Sequence, residues 1–359
     1  MPNPVKDKTI LLGVTGSIAA YKAVELASKL HQAGAIVDVV LTEAGERFVT
    51  PLTFQSVTAR KAYTDVDLWG GEGHVTHIGL GRAANLIVIA PATANTIARL
   101  AYGFGDNLLT VAVLASNCPV LLAPAMDAGM YSHPATQVNV EILKRRGMHF
   151  IGPMLGHLAS GLVGPGRMAE PSEIQGHIRW LLGTNGSLNG RKIVVTAGGT
   201  REIIDPVRFI TNRSSGKQGY AIAQAALDEG AEVTLITTPT NLAPPVGCTL
   251  VAVESSADLR QAVLAHCLSA DVLIMAAAVS DFRPAHAATE KIKKSSGLSE
   301  IQLELTPDIL AEVAEQKARS GSPKRLIGFA AESQDLLENA RAKLASKHLD
   351  LIVANDITA

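Results

Sequence analysis

The sequence has few aromatic residues, few cysteines and almost no net charge, and each shortage excludes something. Aromatic residues make up 4% of the 359 residues while hydrophobic residues make up 47%, so the core must consist of Ala, Val, Leu and Ile, which is typical of α/β layers. The three cysteines form no Cys-x-x-Cys pair, which argues against a disulfide framework or structural zinc and indicates a reducing compartment. A formal net charge of -1 excludes the basic surface that nucleic-acid binding requires.

Long hydrophobic runs are also missing. No apolar run reaches the roughly 18 residues of a membrane span, and residues 1–9 (MPNPVKDKT) contain no apolar signal core. We therefore expect a soluble, cytoplasmic protein with no membrane partner and no nucleic-acid partner. At about 150 residues per domain, the length predicts two domains.

Short apolar segments alternate with helical patterns along the first half of the chain. Strands are expected at residues 8–14, 36–42, 85–90 and 119–123, and their nearly continuous apolar character is typical of parallel strands covered on both faces. After the first strand, Ser17 is expected to cap a helix whose apolar spacing continues to Gly34.

The same alternation restarts after a polar, glycine-rich stretch at residues 183–190. We place a first domain at 1–183, a linker at 184–190 and a second domain at 191–359. Further strands are expected at residues 191–199, 231–237, 271–278, 325–331 and 349–355, with a helix over 217–229. The predicted fold class is α/β, with two doubly wound Rossmann-like domains whose ligands bind beyond the carboxyl ends of the strands.

The first turn, residues 13–18 (GVTGSI), places backbone amides and a hydroxyl at a helix N-terminus, which favours a phosphate. An ordinary glycine turn with an N-cap serine explains it equally well. The turn is not GxGxxG, and the second strand ends in Thr42 instead of the acidic residue that binds an adenosine ribose. This favours a mononucleotide over a dinucleotide, and disfavours a nicotinamide oxidoreductase.

Four motifs of the first half resemble those of the flavin-dependent cysteine decarboxylases. Residues 91–96 (PATANT) resemble the family's PxSANT motif, and residues 124–131 (PAMDAGMY) resemble PAMNxxMW. Residues 158–168 resemble the substrate-recognition clamp, and His77 matches the catalytic histidine. The resemblance covers residues 8–180 and implies a flavodoxin-like flavoprotein domain.

The chemistry of such a reaction explains why a flavin is needed. Removing a carboxylate from an N-acyl cysteine would leave a carbanion that nothing stabilises. Oxidation of the CH2–SH group to a thioaldehyde provides a group that accepts the charge as CO2 leaves, and the returned hydride means that no net oxidation occurs.

The resemblance implies an FMN cofactor and assigns residue roles. His77 would transfer protons, a task suited to an imidazole near neutral pH, although a lone histidine on a helix is more often structural. His74, three residues earlier, receives no role. Arg167 and Met168, in the clamp, would contact the substrate. The FMN-binding residues would be Gly16, Ser17, Thr42, Pro91, Thr93, Ala94, Asn95 and Met126.

Two residues depart from the decarboxylase pattern. Asp127 replaces the family's asparagine, which would hold the substrate carboxylate, and Ser160 replaces a cysteine that donates a proton. A serine hydroxyl is a far weaker acid than a thiol. We expect a variant in which Asp127 and Ser160 remain catalytic in a redistributed proton relay. A non-catalytic FMN-binding regulatory subunit is the alternative from another class.

Motifs of the second half resemble those of the phosphopantothenate-cysteine ligases. They comprise residues 196–208 (TAGGTREIIDPVR), 212–217 (NRSSGK), 276–282 (AAAVSDF), 290–294 (EKIKK) and 306–309 (TPDI). By itself the EKIKK run would be a solvated basic loop, and Asp281 a helix cap. In this family the run is a lysine loop that neutralises a triphosphate.

The implied ligase reaction joins cysteine to 4'-phosphopantothenate through an acyl-cytidylate made from CTP. Asn212 would steady that intermediate, Lys291 would be catalytic, and Asp281 would serve the cytidine or bind Mg²⁺. Lys343 and Lys347, four residues apart, would share one helix face. The remaining substrate- or nucleotide-binding residues would be Met275, Ala276, Ala277, Lys293, Lys294, Thr306, Pro307, Asp308, Ile309 and Phe329.

Together the halves resemble the bifunctional phosphopantothenoylcysteine decarboxylases and phosphopantothenate-cysteine ligases of coenzyme A biosynthesis. The product of the ligase would be the substrate of the decarboxylase, and the final product 4'-phosphopantetheine. The resemblance implies trimeric decarboxylase cores that ligase dimers assemble into a homo-oligomer, a dodecamer. Since family members continue beyond the VAND segment at residues 353–356, a decarboxylase with an impaired ligase half is the other alternative.

Overall fold

The structure is a computed structural model that describes residues 3–69, 75–293, 300–332 and 334–356. The chain forms two compact units, of which one spans Asn3–Leu182 and the other begins at Gly183. In the described part of the chain, every helix is too short or too polar to cross a lipid bilayer.

The first unit alternates strands and helices. Its elements are β1 (Thr9–Val14), α1 (Ala20–Gln32), β2 (Ile36–Leu41), α2 (Glu43–Glu46), α3 (Pro51–Thr58), β3 (Ala62–Tyr63), α4 (Thr76–Ala83), β4 (Leu86–Ala92), α5 (Ala94–Tyr102), α6 (Leu108–Leu114), β5 (Val120–Pro124), α7 (Ala128–Ser132), α8 (Pro134–Arg145), β6 (His149–Phe150), β7 (Met154–His157), β8 (Val163–Arg167) and α9 (Pro171–Gly183).

Among these residues, six strands form one parallel sheet in the order β3-β2-β1-β4-β5-β6. Leu12 of β1 lies opposite Val39 and Val88 on either side. Helices cover both faces, because alternate residues such as Leu11 and Leu12 pack into different hydrophobic clusters. Burial on both faces explains the continuous apolar runs in the sequence.

The layers of the first unit agree with the expected flavodoxin-like domain, but its strand order does not follow flavodoxin. The order is that of the dinucleotide-binding Rossmann fold, 3-2-1-4-5-6, whereas flavodoxin has 2-1-3-4-5. The antiparallel hairpin β7–β8 lies outside the sheet and holds residues 158–162 in its connection.

The second unit repeats the alternation. Its elements are β9 (Lys192–Ala197), β10 (Arg201–Asp205), β11 (Arg208–Thr211), α10 (Lys217–Asp228), β12 (Glu232–Thr237), β13 (Thr249–Ala252), α11 (Ser256–Cys267), β14 (Val272–Met275), β15 (Phe282–Pro284), β16 (Leu303–Leu305), α12 (Ile309–Ser320), β17 (Arg325–Glu332), α13 (Leu336–Ser346) and β18 (Leu351–Asp356).

Six of the described strands of this unit form a second parallel sheet, β13-β12-β9-β14-β17-β18. Numbered within the unit's sheet, its strands have the same 3-2-1-4-5-6 order as the first sheet. Two antiparallel hairpins, β10–β11 and β15–β16, stand outside the sheet. The first of them is inserted between strand β9 and helix α10, at the carboxyl end of the sheet.

Two local expectations are wrong. Ser17 does not cap α1, because the helix begins later, at Ala20, and Ser17 Oγ instead accepts a hydrogen bond from the backbone N–H of Ala19 at 3.3 Å. The helix-cap interpretation of Asp281 is also wrong, because the strand β15 comes after it instead of a helix.

Candidate functional sites

The first site lies at the carboxyl ends of β1 and β4, which are neighbours in the sheet but continue to opposite sides of it. Such a switch point is where doubly wound sheets bind ligands. A cleft of about 570 Å³ opens there. Its lining residues are Gly16, Ser17, Thr42, Glu43, Ala44, Asp65, Thr93, Ala94, Asn95, Thr96, Arg99, Asp106, Asn107, Ala125, Met126 and Met130.

The cleft brings together all of the expected FMN-binding residues except Pro91, which lies within β4 behind the surface. The carbonyl of Pro91 accepts a hydrogen bond from Thr15 Oγ1 at 2.7 Å. Thr15 Oγ1 in turn accepts from the backbone N–H of Thr93 at 3.2 Å, so the two loops of the switch point are tied to each other. Thr93 then caps α5 by accepting from the N–H of Thr96 at 3.3 Å.

The composition of this first cleft fits a flavin nucleotide. Gly16 allows close backbone approach, since a Cβ there would lie 2.5 Å from the Cβ of Ala44. Hydroxyl and amide side chains can bind polar edges and a phosphate, while Ala125, Met126 and Met130 offer an apolar wall for a ring. Both requirements of a flavin are therefore met on one side of the sheet.

The acidic residues in the cleft are already engaged. Asp106 pairs with Arg99, and Glu43 pairs with Arg47 at 3.0 Å. Asp65 Oδ1 accepts a hydrogen bond from the backbone N–H of Leu108 at 2.9 Å. The two arginines offset the charges of Asp106 and Glu43. Asp65, in contrast, has only backbone donors among the described residues and keeps its negative charge beside the cleft.

A second cleft of about 480 Å³ lies on the other side of Met126. It shares Ser17, Ala125 and Met126 with the first cleft and contains the expected substrate residues Asp127, Ser160, Arg167 and Met168. The full lining is Ser17, Ile18, Ala19, Tyr21, Lys22, Ala125, Met126, Asp127, His157, Leu158, Ala159, Ser160, Gly166, Arg167 and Met168.

The clamp is fixed at its base, where β8 meets the segment before α7. Met126 donates its backbone N–H to the carbonyl of Gly166 at 3.0 Å. A Cβ on Gly166 would lie 2.2 Å from the carbonyl oxygen of Met126, so only glycine permits this approach. The contact brings Ser160, in the connection between β7 and β8, to the start of α7.

The two residues that depart from the decarboxylase pattern contact each other. Ser160 Oγ donates to Asp127 Oδ2 at 2.6 Å, and Gly129 donates its N–H to Asp127 Oδ1 at 2.9 Å. The Ser160 hydroxyl, followed by the Gly129 amide, lowers the pKa of Asp127. Asp127 is therefore a carboxylate at neutral pH, which would repel a substrate carboxylate rather than bind it.

Sequence reasoning missed Lys22 and Glu170 at this second cleft. Lys22 is only 9% exposed, and its Nζ lies 2.7 Å from Glu170 Oε1, which also accepts from Arg167 Nη2 at 2.9 Å. Lys22, more than Arg167, lowers the pKa of Glu170. Together with Asp127 these groups make two cations and two carboxylates, so they give the cleft no net charge, and positive charge is available to an anionic substrate only locally, at Lys22 and Arg167.

His77 is not brought to either cleft. It lies in the first turn of α4, partly buried, and its Nδ1 has no hydrogen-bond partner among the described residues. An unpaired buried imidazole nitrogen is unfavourable unless another group completes its hydrogen bond. The other histidine considered, His74, lies outside the described residues.

The third site lies at the carboxyl ends of β9 and β14, the equivalent switch point of the second sheet. A cleft of about 590 Å³ opens there. Its lining residues are Asn212, Arg213, Ser214, Gln218, Met275, Ala276, Ala277, Ala278, Val279, Asp281, Leu305, Thr306, Pro307, Asp308, Ile309, Leu310, Phe329, Ala330, Ala331, Lys343, Lys347 and Asn355. All expected ligase residues outside the lysine loop are among them.

Hydrogen bonds fix several of these side chains. Asn212 Nδ2 donates to the carbonyl of Val279 at 2.9 Å, and Thr306 Oγ1 donates to the carbonyl of Ser280 at 2.6 Å. Lys343 Nζ donates to the carbonyl of Phe329 at 3.0 Å. Bonds to backbone carbonyls therefore fix the side chains of Asn212, Thr306 and Lys343 at the cleft.

Lys343 of α13 and Lys347, directly after its end, both line this cleft, but Lys347 is paired. Lys347 forms an ion pair with Asp308, which also caps α12 by accepting from the N–H of Ala311 at 3.1 Å. The positive face expected from their spacing is thus partly neutralised within the chain.

The lysine loop is placed elsewhere. Lys291 and Lys293 are exposed and do not line the cleft, and Lys294 lies outside the described residues. The loop is held at Ile292, whose N–H donates to Asp205 Oδ2 at 3.1 Å. Hydrogen bonds, first from Arg208, keep the pKa of Asp205 well below its usual range. Asp205 belongs to the ligase-like motif at residues 196–208 but was given no role of its own, because its contact with Ile292 lies 87 residues away in the sequence.

A metal site is not formed by side chains alone in the described part of the second unit. No group of three or more His, Cys, Asp or Glu residues that could hold a metal occurs among the described residues. A Mg²⁺ ion at Asp281 would therefore need most of its ligands from a bound nucleotide, as is usual for Mg²⁺.

Comparison with known proteins gives matches over both halves. Residues 2–183 match the family described as Flavoprotein, and residues 188–359 match the DNA/pantothenate metabolism flavoprotein C-terminal domain. The coenzyme A biosynthesis bifunctional protein CoaBC of Bacillus subtilis (strain 168) is 47% identical over 358 residues, which cover 99% of this chain and 87% of that protein. The protein of the same name from Vibrio cholerae serotype O1 is 45% identical over 353 residues, or 98% of this chain and 88% of the other.

Proposed function

Because this chain belongs to the CoaBC family of bifunctional coenzyme A biosynthesis proteins, with decarboxylase and ligase activities, we propose how each of its clefts takes part. The first unit binds FMN in the cleft at β1 and β4, and takes phosphopantothenoylcysteine in the cleft beside it. The second unit binds CTP at β9 and β14. The single observation that carries the proposal is that both switch points hold clefts lined by the expected residues.

In the ligase step, the carboxylate of 4'-phosphopantothenate attacks the α-phosphorus of CTP and pyrophosphate leaves. The amine of cysteine then attacks the acyl carbon of the acyl-cytidylate, and CMP leaves as the amide forms. Asn212 orients the acyl-cytidylate, while Asp281 serves the cytidine or, with phosphate oxygens, a Mg²⁺ ion. Lys343, together with the lysine loop, stabilises the negative charge that develops on pyrophosphate.

In the decarboxylase step, bound FMN would accept a hydride from the CH2–SH carbon and later return it. Ser17, Thr93 and Asn95 hold the cofactor with hydroxyl and amide groups, and Met126 packs between cofactor and substrate. Lys22 and Arg167 provide the positive charge for the anionic substrate. These roles use side chains that line the two adjoining clefts.

The pair of Ser160 and Asp127 acts at the reacting end of the substrate. Because the Ser160 hydroxyl donates its hydrogen bond to Asp127, its oxygen has lone pairs free to accept a hydrogen bond from the substrate thiol. Asp127 keeps that hydroxyl oriented and does not bind the carboxylate. This relay therefore differs from one based on an asparagine and a cysteine.

The position of His77 supports a cofactor site completed by a second copy of the chain. Its Nδ1, which has no hydrogen-bond partner among the described residues, lies away from both clefts of its own unit. Large apolar side chains are also exposed on this unit, with Trp69 88% exposed. We infer trimeric decarboxylase cores, joined by ligase pairs into a dodecamer, in the cytoplasm. In such a trimer His77 of one protomer would serve the clefts of its neighbour.

The test monitors both half-reactions by mass spectrometry. Purified full-length protein is supplied with 4'-phosphopantothenate, cysteine, CTP and Mg²⁺, and the expected products are pyrophosphate, CMP, CO2 and 4'-phosphopantetheine. His77→Asn is expected to stop the sequence at phosphopantothenoylcysteine, with pyrophosphate release unchanged. Protein that takes up no FMN, or that releases no pyrophosphate from CTP, would contradict the proposal for the corresponding half.

A further inference from the structure

A five-residue segment that carries Lys291, the lysine arch (residues 288–292), is fastened at both ends to the hairpin β10–β11. At its first end, Ala288 donates its N–H to the carbonyl of Ile204 at 2.9 Å. At its last end, Ile292 donates its N–H to Asp205 Oδ2 at 3.1 Å and accepts from Arg208 Nη2 at 2.9 Å. The position of the arch is therefore set by the hairpin.

Asp205 divides its two carboxylate oxygens between two tasks. Oδ1 closes the hairpin turn by accepting the backbone N–H groups of Val207 and Arg208, each at 2.9 Å. Oδ2 accepts from Ile292 and from Arg208 Nε, the latter at 3.0 Å. One oxygen therefore serves the local turn and the other serves the contact with the arch, 87 residues away.

The same hairpin leads into the nucleotide cleft. Strand β11 ends at Thr211, and Asn212, the next residue, lines the cleft and is fixed by its hydrogen bond to Val279. The side chain of Asp205 is completely buried, and its charge offsets that of Arg208, which would otherwise repel the lysines. The arch and Asn212 are thus attached to one rigid support.

We propose that Asp205 is a positioning residue for the ligase step, which fixes the lysine arch relative to Asn212 so that the ammonium group of Lys291, outside the lining of the cleft, meets CTP phosphates that extend from it. The proposal rests on the proposed use of CTP by the second unit. Without the contact through Oδ2, the arch keeps its bond at Ala288 and the bond from Arg208 to the carbonyl of Ile292. Arg208 has then lost its carboxylate partner, so the position of Lys291 is held less firmly. A misplacement of about 1 Å can reduce catalysis by about a hundredfold.

The substitution Asp205→Asn separates the two tasks. The amide oxygen of asparagine can still accept the N–H groups of Val207 and Arg208, whereas its NH2 group cannot accept from Ile292. We expect the KM for CTP in the full-length enzyme to rise about tenfold, as for the loss of a hydrogen bond to a charged group. We also expect trypsin to cleave after Lys291 severalfold faster.

Asp271→Asn is the matched control. Asp271 also has a lowered pKa and accepts a backbone N–H, from Lys192 at 2.9 Å, but it lies at the amino ends of β9 and β14, opposite the cleft. It should lower the melting temperature without changing the KM for CTP or the cleavage after Lys291. Arg208→Gln, which removes the bond to the carbonyl of Ile292, should raise the KM less than Asp205→Asn does.

The possible results separate a failure of this proposal from a failure of the proposed use of CTP. If Asp205→Asn and Asp271→Asn change stability alike and leave both the KM for CTP and the tryptic cleavage at wild-type values, Asp205 has only a structural role. If Asp205→Asn does not fold, Arg208→Gln decides by the same two measurements. If the wild-type protein itself does not use CTP, the proposed function of the second unit fails instead.

Discussion

The two units share one strand order and differ in the connection that leaves the first strand of each sheet. In the first unit, β1 leads through a short turn directly to α1, whereas in the second unit the hairpin β10–β11 stands between β9 and α10. This connection places Gly16 and Ser17 in the cleft of the first unit and Asn212 in the cleft of the second. The sheet determines where a ligand binds, and the connections determine which ligand it is.

The largest effect is expected from a substitution that blocks the close backbone approach at Gly16, which concerns the first unit alone. In Gly16→Ala the added methyl would lie 2.5 Å from the Cβ of Ala44, so the turn must move out of position. We expect the FMN content, measured by absorbance, to fall at least about tenfold, with CTP-dependent pyrophosphate release unchanged. Gly105→Ala, which meets only Leu114 and Val111 at 3.4 Å, should retain the flavin.

The next test compares two Ser–Asp hydrogen bonds of the same kind, one in each unit. Ser160→Ala, Asp127→Ala and the double variant form a cycle, and we expect each single change to lower kcat/KM for decarboxylation about tenfold. The double variant should be no worse than the poorer single one, because both changes remove the same hydrogen bond. Additive losses would show that the two residues act separately.

The control for that cycle is a hydrogen bond of the same chemistry away from any proposed site. Ser255 Oγ donates to Asp258 Oδ2 at 2.7 Å in the capping box of α11. Ser255→Ala should lower the melting temperature slightly, through the weaker cap, and leave both activities at the wild-type rate.

The smallest expected effect is on stability, from Glu170→Gln in the first unit. Because Lys22 lowers the pKa of Glu170, the ion pair stabilises the fold at neutral pH, and this contribution is lost as the pH falls from about 4.3, the unfolded value, through the folded value. Glu170 is half exposed, so we expect a loss of only about 1 kcal/mol in urea unfolding at neutral pH. The difference should vanish in acid. Glu25→Gln, in the exposed pair with Lys29, should change nothing.

Much of the fold can be predicted from local pattern. The buried strands are continuous apolar runs, so strands such as β1, β4 and β9 lie within a residue or two of their expected bounds. The carboxyl-end rule for doubly wound sheets then places both ligand clefts. Glycines and hydroxyl residues at those ends are recognisable because they come directly after strands.

The features that could not be predicted depend on contacts between distant parts of the chain. Lys22 meets Glu170 across 148 residues, and Asp205 meets Ile292 across 87. Neither pair has a spacing that any helix or strand period would reveal. The start of α1 at Ala20 was missed for a related reason, since the chain completes the turn after β1 before it begins the helix.

The wall formed by Ser17, Ala125 and Met126 belongs to both clefts of the first unit. If binding in one cleft shifts this wall, the binding affinity of the other cleft changes. Thermodynamic linkage requires the effect to be mutual, with the same factor in both directions. Tight retention of one molecule and preference for the other are thus not independent properties, and a change at Met126 would alter the two affinities together.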